Sequence, residues 1–420
     1  MERPDILWIV TTQWRAQACG FAGDRNARTP HLDRLAAESV NYTQAVTPHP
    51  FGPFARAALL TGVESPANGV REYFDPLPRG ARTVAHELGQ RGYQTGFFGK
   101  WHLARRDSAA PLIGEVHARQ VVPEEERGGF RFWEGFESGF LLNDPWLHGT
   151  RLAAPRKFAG YQSDVVCARA AEWIVSEFGD GRAESGKRRN WFCMVSLEAP
   201  HPPYDAPVPR EARRVMPDEI VLDHNVPRGG EAEEKARREL AGYYAHIEAT
   251  DTAIGRMLAA VDAAAARSGR GRPIVVFTSV HGDMHGAHGL FRKGWPHEES
   301  VRVPLLVRGA ETDGGTRKEG AVSLVELFAA TAAWSDGKRD ELGRRDFSRI
   351  SMPSVVELPH QCDRVWRGVR TKERKLVLRA EGTPWLFFDL AGDPGESRNL
   401  IGEGGWGEEI EKLRKCVVDA

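Results

Sequence analysis

The chain has almost no net charge to offer a polyanion: 57 Lys and Arg stand against 58 Asp and Glu in 420 residues, a formal balance of −1. A dedicated nucleic-acid binder carries a basic excess, so no nucleic-acid partner is expected. Long hydrophobic runs are also missing. Apolar stretches such as Ile6 to Val10 are strand-sized and far short of the roughly 20 residues of a membrane helix. Cysteine is scarce: Cys19, Cys167, Cys193, Cys362 and Cys416 are odd in number and lack metal-type spacing, which implies no disulfide framework. Met1-Glu2-Arg3-Pro4-Asp5 runs straight into a strand without the basic and apolar regions of a signal peptide, so a cytoplasmic location is expected. What is present is 41% hydrophobic and 27% charged residues, the composition of a folded chain with a large core.

Five short apolar runs predict strands: Ile6 to Thr11, Tyr93 to Phe98, Trp191 to Leu197, Ile274 to Thr278 and Val303 to Val307. Those at 6, 191 and 274 are continuous instead of alternating, as in strands covered on both faces. Helical patterns lie between them. Thr29-Pro30 offers an N-cap and a proline at the first helical position, with Leu32, Leu35 and Ala36 on one face. Thr83 caps a second, and Tyr244, Ile247, Ile254 and Leu258 mark a third over about 241–260. Strand–helix alternation predicts an α/β fold with a large, mainly parallel sheet flanked by helices. Residues 105–130 and 205–235 read as surface excursions, and 309–320 and 335–350 as polar tracts without periodicity. From Val365 the texture changes to short strands joined by Gly-containing turns, which predicts a small antiparallel subdomain, followed by an amphipathic helix over Glu408 to Val418. The division expected is 1–355 and 356–420.

Sites in open parallel sheets form at the carboxyl ends of the strands. Here those ends read Thr12-Gln13-Trp14-Arg15, Gly99-Lys100-Trp101-His102, Glu198-Ala199-Pro200-His201 and Ser279-Val280-His281-Gly282-Asp283. One His after a strand is ordinary packing; three such endings, one with a Lys, predict a site.

These residues carry a resemblance. Ile6 to Thr11 with Thr29-Pro30-His31-Leu32-Asp33-Arg34-Leu35-Ala36 resembles the opening of the sulfatase family, within the alkaline phosphatase superfamily. Arg56-Ala57-Ala58-Leu59-Leu60-Thr61-Gly62 resembles its nucleophile helix. Gly99-Lys100-Trp101-His102-Leu103, Pro200-His201-Pro202-Pro203-Tyr204, Glu298 to Pro304, Phe388-Asp389-Leu390 and Asp393-Pro394-Gly395-Glu396 follow in order. The resemblance implies a sulfuric ester hydrolase: a Cys or Ser in C/S-x-P-x-R, oxidised to formylglycine on a calcium ion, attacks a sulfate ester whose oxygens Arg, Lys and His hold.

The sequence departs from that pattern at the nucleophile. Aligned on Arg56, the nucleophile position is Gly52 in Gly52-Pro53-Phe54-Ala55-Arg56, or Phe51 if one residue is inserted; no Cys or Ser occurs from Val40 to Glu64. The expected calcium ligands read Thr12, Gln13 and Val280, leaving only His281, and a hard dication needs several anionic oxygens. The sulfate-holding half remains as Arg56, Lys100, His102, His201 and Lys293. Without acidic ligands and dication, this cluster is expected either to bind a small anion such as a sulfate or phosphate ester, or to pair with carboxylates of neighbouring loops. His281, Asp283, His285 and His288 also offer four potential ligands of a transition metal, although the plainer expectation is no cofactor. The reading is a catalytically degenerate sulfatase-like protein, a pseudoenzyme with an anion-binding pocket. The alternatives are an active sulfate or phosphate ester hydrolase with a non-standard site, and a structural partner of an intact relative.

Overall fold

The computed structural model describes residues 3–179, 189–213, 215–310, 314–338 and 342–418. In chain order the first strands are β1 (Ile6–Thr11), β2 (Val40–Tyr42), β3 (Ala45–Val46), β4 (Gln94–Lys100), β5 (Phe132–Phe136), β6 (Trp146–Gly149), β7 (Leu152–Lys157) and β8 (Trp191–Ser196). They continue as β9 (Ile274–Ser279), β10 (Leu305–Arg308), β11 (Arg317–Lys318), β12 (Val322–Ser323), β13 (Phe347–Met352), β14 (Trp366–Thr371), β15 (Arg374–Arg379) and β16 (Pro384–Asp389). The helices are α1 (Pro30–Ala37), α2 (Gly52–Thr61), α3 (Val84–Gln90), α4 (Glu115–Ala118), α5 (Gln162–Phe178), α6 (Glu231–Arg267), α7 (Glu298–Val301), α8 (Glu326–Ser335) and α9 (Gly407–Val418).

Ten strands form one sheet in the order β11-β2-β10-β9-β1-β8-β4-β5-β6-β7. Its centre, β9-β1-β8-β4-β5, is parallel throughout. β10 joins β9 antiparallel, and β6 and β7 extend the other edge antiparallel. Every residue of β1, β8 and β9 is buried, which is why their sequences are apolar without alternation. Ile6, Trp8 and Val10 pack with α2, α3 and α8 on one face. Leu7 and Ile9 pack with α1, α5 and α6 on the other.

Two helix starts differ instructively. Thr83 caps α3 through His86 N–H at 3.4 Å, as its sequence predicts. Thr29 does not cap α1; its hydroxyl turns to Asp33 Oδ1 at 2.9 Å. The free N–H groups of His31 and Leu32 are instead taken by Asp251 of α6, at 3.1 and 2.8 Å. Asp251 therefore ties α6 to the start of α1. Burial pushes this carboxyl up to about 7 even though it accepts both N–H groups. α6 begins ten residues before its apolar periodicity does. That stretch carries Glu233–Arg237 and Lys235–Glu239 pairs one turn apart, at 2.8 and 3.9 Å.

The C-terminal sheet has four antiparallel strands, β13-β14-β15-β16, with α9 packed on it through Leu413 and Val417. Its first strand, β13, lies before residue 355, inside the stretch read as a polar tract; residues 311–313 and 339–341 of the polar tracts lie outside the described residues. β13 was masked in sequence because Phe347-Ser348-Arg349-Ile350-Ser351-Met352 buries Ser348 beside Ile350 and Met352 on its inner face. The two sheets are joined at α7. Glu298 accepts from Lys375 at 2.7 Å, Arg370 at 3.0 Å and Arg302 at 3.1 Å, and its N–H donates to Glu396 at 2.7 Å. None of the helices is long and apolar enough to cross a membrane, among the described residues.

Candidate active site

Parallel strands present their carboxyl ends at one rim, so the residues following β1, β4, β8 and β9 converge there with the first turn of α2. They line a cavity of about 660 Å³. Its floor holds Thr12, Gly52, Lys100, His102, His201, His281 and Lys293; Arg56 does not line it.

Gly52 is the first residue of α2, a helix buried along its whole length. A Cβ at Gly52 would lie 2.9 Å from His102 Nδ1 and 3.2 Å from Cε1. The imidazole of His102 therefore fills the space of a side chain at the nucleophile position. Arg106 Nη1 donates to His102 Nε2 at 2.9 Å. A guanidinium only donates, so Nε2 is the acceptor and the proton sits on Nδ1. Burial, with Arg106 and Lys100 nearby, holds this histidine neutral. Its Nδ1–H has no partner among the described residues.

Arg56 is turned away from the cavity. It donates to Ser196 Oγ at 2.6 Å, Thr12 Oγ1 at 2.8 Å and the Lys100 carbonyl at 3.2 Å. Lys100 Nζ meets Glu198 Oε1 at 2.6 Å, with both side chains buried. Burial pushes the Lys100 ammonium down to about 8. Lys293 Nζ donates to Gln13 Oε1 at 2.6 Å and lies 3.5 Å from His201 Nε2. Burial brings it down to about 7. The cations of this cluster are thus largely paired, one of the two arrangements expected from the sequence. Lys100 has a carboxylate, and Lys293 reaches Asp283 through Gln13, whose amide N–H₂ hydrogen-bonds Asp283. When Lys293 is charged, Arg56, Lys100 and Lys293 against Glu198 and Asp283 leave a single positive charge.

The two remaining histidines are acceptors. His201 Nδ1 donates to the Pro202 carbonyl at 2.7 Å, and His281 Nδ1 to the Gly282 carbonyl at 2.9 Å. Both Nε2 atoms therefore carry lone pairs, and that of His281 is buried without a partner among the described residues. Burial first, and then Lys293, keeps both rings neutral.

The calcium implied by the family does not fit these donors. Thr12 Oγ1 donates to the Leu197 carbonyl at 2.9 Å and accepts from Arg56, while Gln13 Oε1 accepts the Lys293 ammonium. Val280 is fully buried among apolar side chains. Asp283, the nearby carboxylate, accepts the Tyr204 hydroxyl at 2.6 Å. Against the upward push of burial, His285 and Arg292 hold it well below the usual range. A hard dication has no set of free anionic oxygens here. Nor do His281, Asp283, His285 and His288 converge: no three of them offer ligand atoms within 4.8 Å of one another. His285 packs against the rings of Tyr204 and Tyr243, at 4.9 and 4.3 Å. His288 groups instead with Glu299 and Glu396 near the joint, where Lys375 pairs with Glu396 at 2.6 Å. All five cysteines are free thiols, and Cys19 is buried.

Sequence reasoning placed the floor and missed the walls and the partners. Glu198 stood in view three residues before His201, but nothing in its spacing tied it to Lys100, 98 residues earlier. Phe140, stacked on His201 at 4.5 Å and lying 4.7 Å from Lys100 Nζ, had no signal at all.

The sulfatase family model matches residues 4–337. An ulvan-active sulfatase of Formosa agariphila is 30% identical, over 96% of this chain and 78% of its own. An arylsulfatase of Clostridium perfringens is 26% identical, over 99% and 94%. Among solved structures, a complex with D-glucosamine-2-N,6-O-disulfate superposes with a TM-score of 0.78 at 19% identity, covering 99% of this chain and 97% of the other. The phosphonate monoester hydrolase of Agrobacterium radiobacter gives 0.69 at 21%, over 99% and 94%. With the sheet order, the converging strand ends and the family match over most of its length, the chain belongs to the sulfatase family.

Proposed function

We propose that the chain binds a sulfate-bearing ester in the cavity and does not cleave it through a covalent intermediate. Gly52 carries this reading. A nucleophile at the start of α2 needs a thiol or hydroxyl, and the space for one is taken by the His102 ring 2.9 Å away. The nearest hydroxyls along the chain, Thr47 and Thr61, are spent on the carbonyls of His49 at 3.0 Å and Ala57 at 2.7 Å, and that of Thr12 on the Leu197 carbonyl at 2.9 Å. Water activation by a family-type metal lacks its ligands. What supports binding is the floor: Lys293, the unpartnered Nδ1–H of His102 beside Gly52 and the Lys100 edge of the Lys100–Glu198 pair are buried donors, and hydrogen bonds from such groups to an anion are strong. The single positive charge left there matches a sulfate monoester.

The test pairs an aryl sulfate hydrolysis assay with thermal unfolding in increasing sulfate. The expected outcome is no ester cleavage above buffer, together with a melting temperature that rises with ligand by mass action. Turnover that falls away in Lys100→Ala or His281→Ala would establish an active hydrolase instead. Absence of stabilisation at high sulfate would remove the binding half of the proposal.

A further inference from the structure

Between the floor and the mouth, the cavity wall is largely apolar. Phe51, Tyr73, Leu112, Ile113, Phe140 and Leu358 form it. The three aromatic rings are set by one another and by the floor. Tyr73 meets Phe51 edge-on at 5.5 Å and His102 at 5.8 Å, while Phe140 lies flat on His201 with 5° between the planes. Ile113 is 69% exposed, the most exposed of the large hydrophobic side chains described. An isoleucine left in water at the lip of a deep cavity is unfavourable for the free protein and favourable once an apolar body covers it.

Several of the polar side chains at the mouth are already engaged, and the exposed Asp205 lines it as well. Arg292 grips Glu239 through two bonds of 2.7 and 3.0 Å. His360 Nε2 sits 3.0 Å from Lys235 Nζ, and Arg238 pairs with Glu234 at 3.8 Å. The Gln361 side-chain oxygen Oε1 accepts the Lys293 backbone N–H at 3.2 Å. A sugar would bury several hydroxyls in this space, each needing a partner; burying them against phenyl and aliphatic carbons is costly. An aromatic ring has no such need. It gains edge-to-face and stacking contacts with Phe51, Tyr73 and Phe140 while its charged group reaches the donors below.

We infer that the sulfate bound here is carried on an aromatic body, not on a sugar. The inference rests on the binding half of the function proposed above and names its ligand class. The residues that set it are Ile113, Leu358, Phe140 and Tyr73, which touch the body of the ligand and not its sulfate.

Four compounds titrated into the full chain separate the possibilities: 2-naphthyl sulfate, N-acetylglucosamine 6-sulfate, inorganic sulfate and uncharged 2-naphthol. The expected order places 2-naphthyl sulfate at least about tenfold tighter than either the sugar sulfate or inorganic sulfate, an advantage supplied by buried apolar area. Ile113→Ser and Leu358→Asn should each shrink the ratio of naphthyl sulfate to inorganic sulfate affinity several-fold. Ile113 is exposed, so its replacement leaves folding intact. A sugar sulfate binding as tightly as the naphthyl ester would overturn the inference and leave sulfate binding standing. Binding of 2-naphthol alone, or of none of the four, would overturn the sulfate site itself and the inference with it.

Discussion

At the scale of single residues, one missing side chain reorganises the site. Gly52 is tolerated at the start of α2 because the ring of His102 supplies the volume. That ring is no loose end: Arg106 holds Nε2, and the backbone of His102 is left-handed at φ 61°. A methyl group added at Gly52 therefore overpacks a rigid neighbour. Gly52→Ala is expected to cost about 1–3 kcal/mol in chemical unfolding. The double variant with His102→Ala should recover much of that loss, giving a coupling energy that two independent sites would not show. The same contact obstructs installation of a family-type nucleophile: Gly52→Cys meets His102, and Val280→Asp places a carboxylate in an apolar cluster.

Lys293 gives the second residue-scale prediction. Asp283, Lys100, Arg292, Glu198 and His201 face it, and burial sets its ammonium near 7. Sulfate beside it favours the charged form. Below pH 7 Lys293 is already protonated and affinity is flat; above pH 7 binding must take up a proton, so affinity falls by up to about tenfold per pH unit. Calorimetric affinities at pH 6, 7 and 8 check this. Lys293→Met should bind weakly with that step removed. A step unchanged in Lys293→Met would assign the titration to another group.

At the scale of elements, the short helix α7 matters more than its four residues suggest. Glu298 gathers Arg302 from its own segment, Arg370 from β14 and Lys375 from β15, and its N–H reaches Glu396. Burial would raise its carboxyl, yet Arg370 and Lys375 hold it well below the usual range. Glu298→Ala strips a partner from buried cations and is expected to destabilise the fold by about 3–5 kcal/mol in urea unfolding. A loss below about 1 kcal/mol would mean that apolar contacts alone hold the C-terminal sheet to the body. Elements also divide by how legible they are. β1, β8 and β9 were readable from short continuous apolar runs because both their faces are buried. β13 was not, since its serines and Arg349 make a half-buried strand look like a loop. The first ten residues of α6 were hidden likewise: among its charged pairs the stripe packed on the core is only Ala232, Ala236 and Leu240, too small to stand out.

For the whole molecule, topology does what motif order promised. The ends of β1, β4, β8 and β9 meet in one cavity, which Thr12, Lys100, His102, His201 and His281 line; Arg56, on α2, does not. What sequence could not carry is pairing at a distance. Glu198 with Lys100, Gln13 between Lys293 and Asp283, and His102 over Gly52 are relations between loops, decided by the sheet. They turn a cluster of cations into a nearly balanced floor with one charge to spare. The most direct test of binding without cleavage is an isothermal titration of an aryl sulfate into the purified chain, which reads association and turnover together. We predict a saturable one-site isotherm that returns to baseline after each injection, with the ester recovered intact. Sustained heat flow with release of inorganic sulfate, or no heat of binding at all, would contradict it.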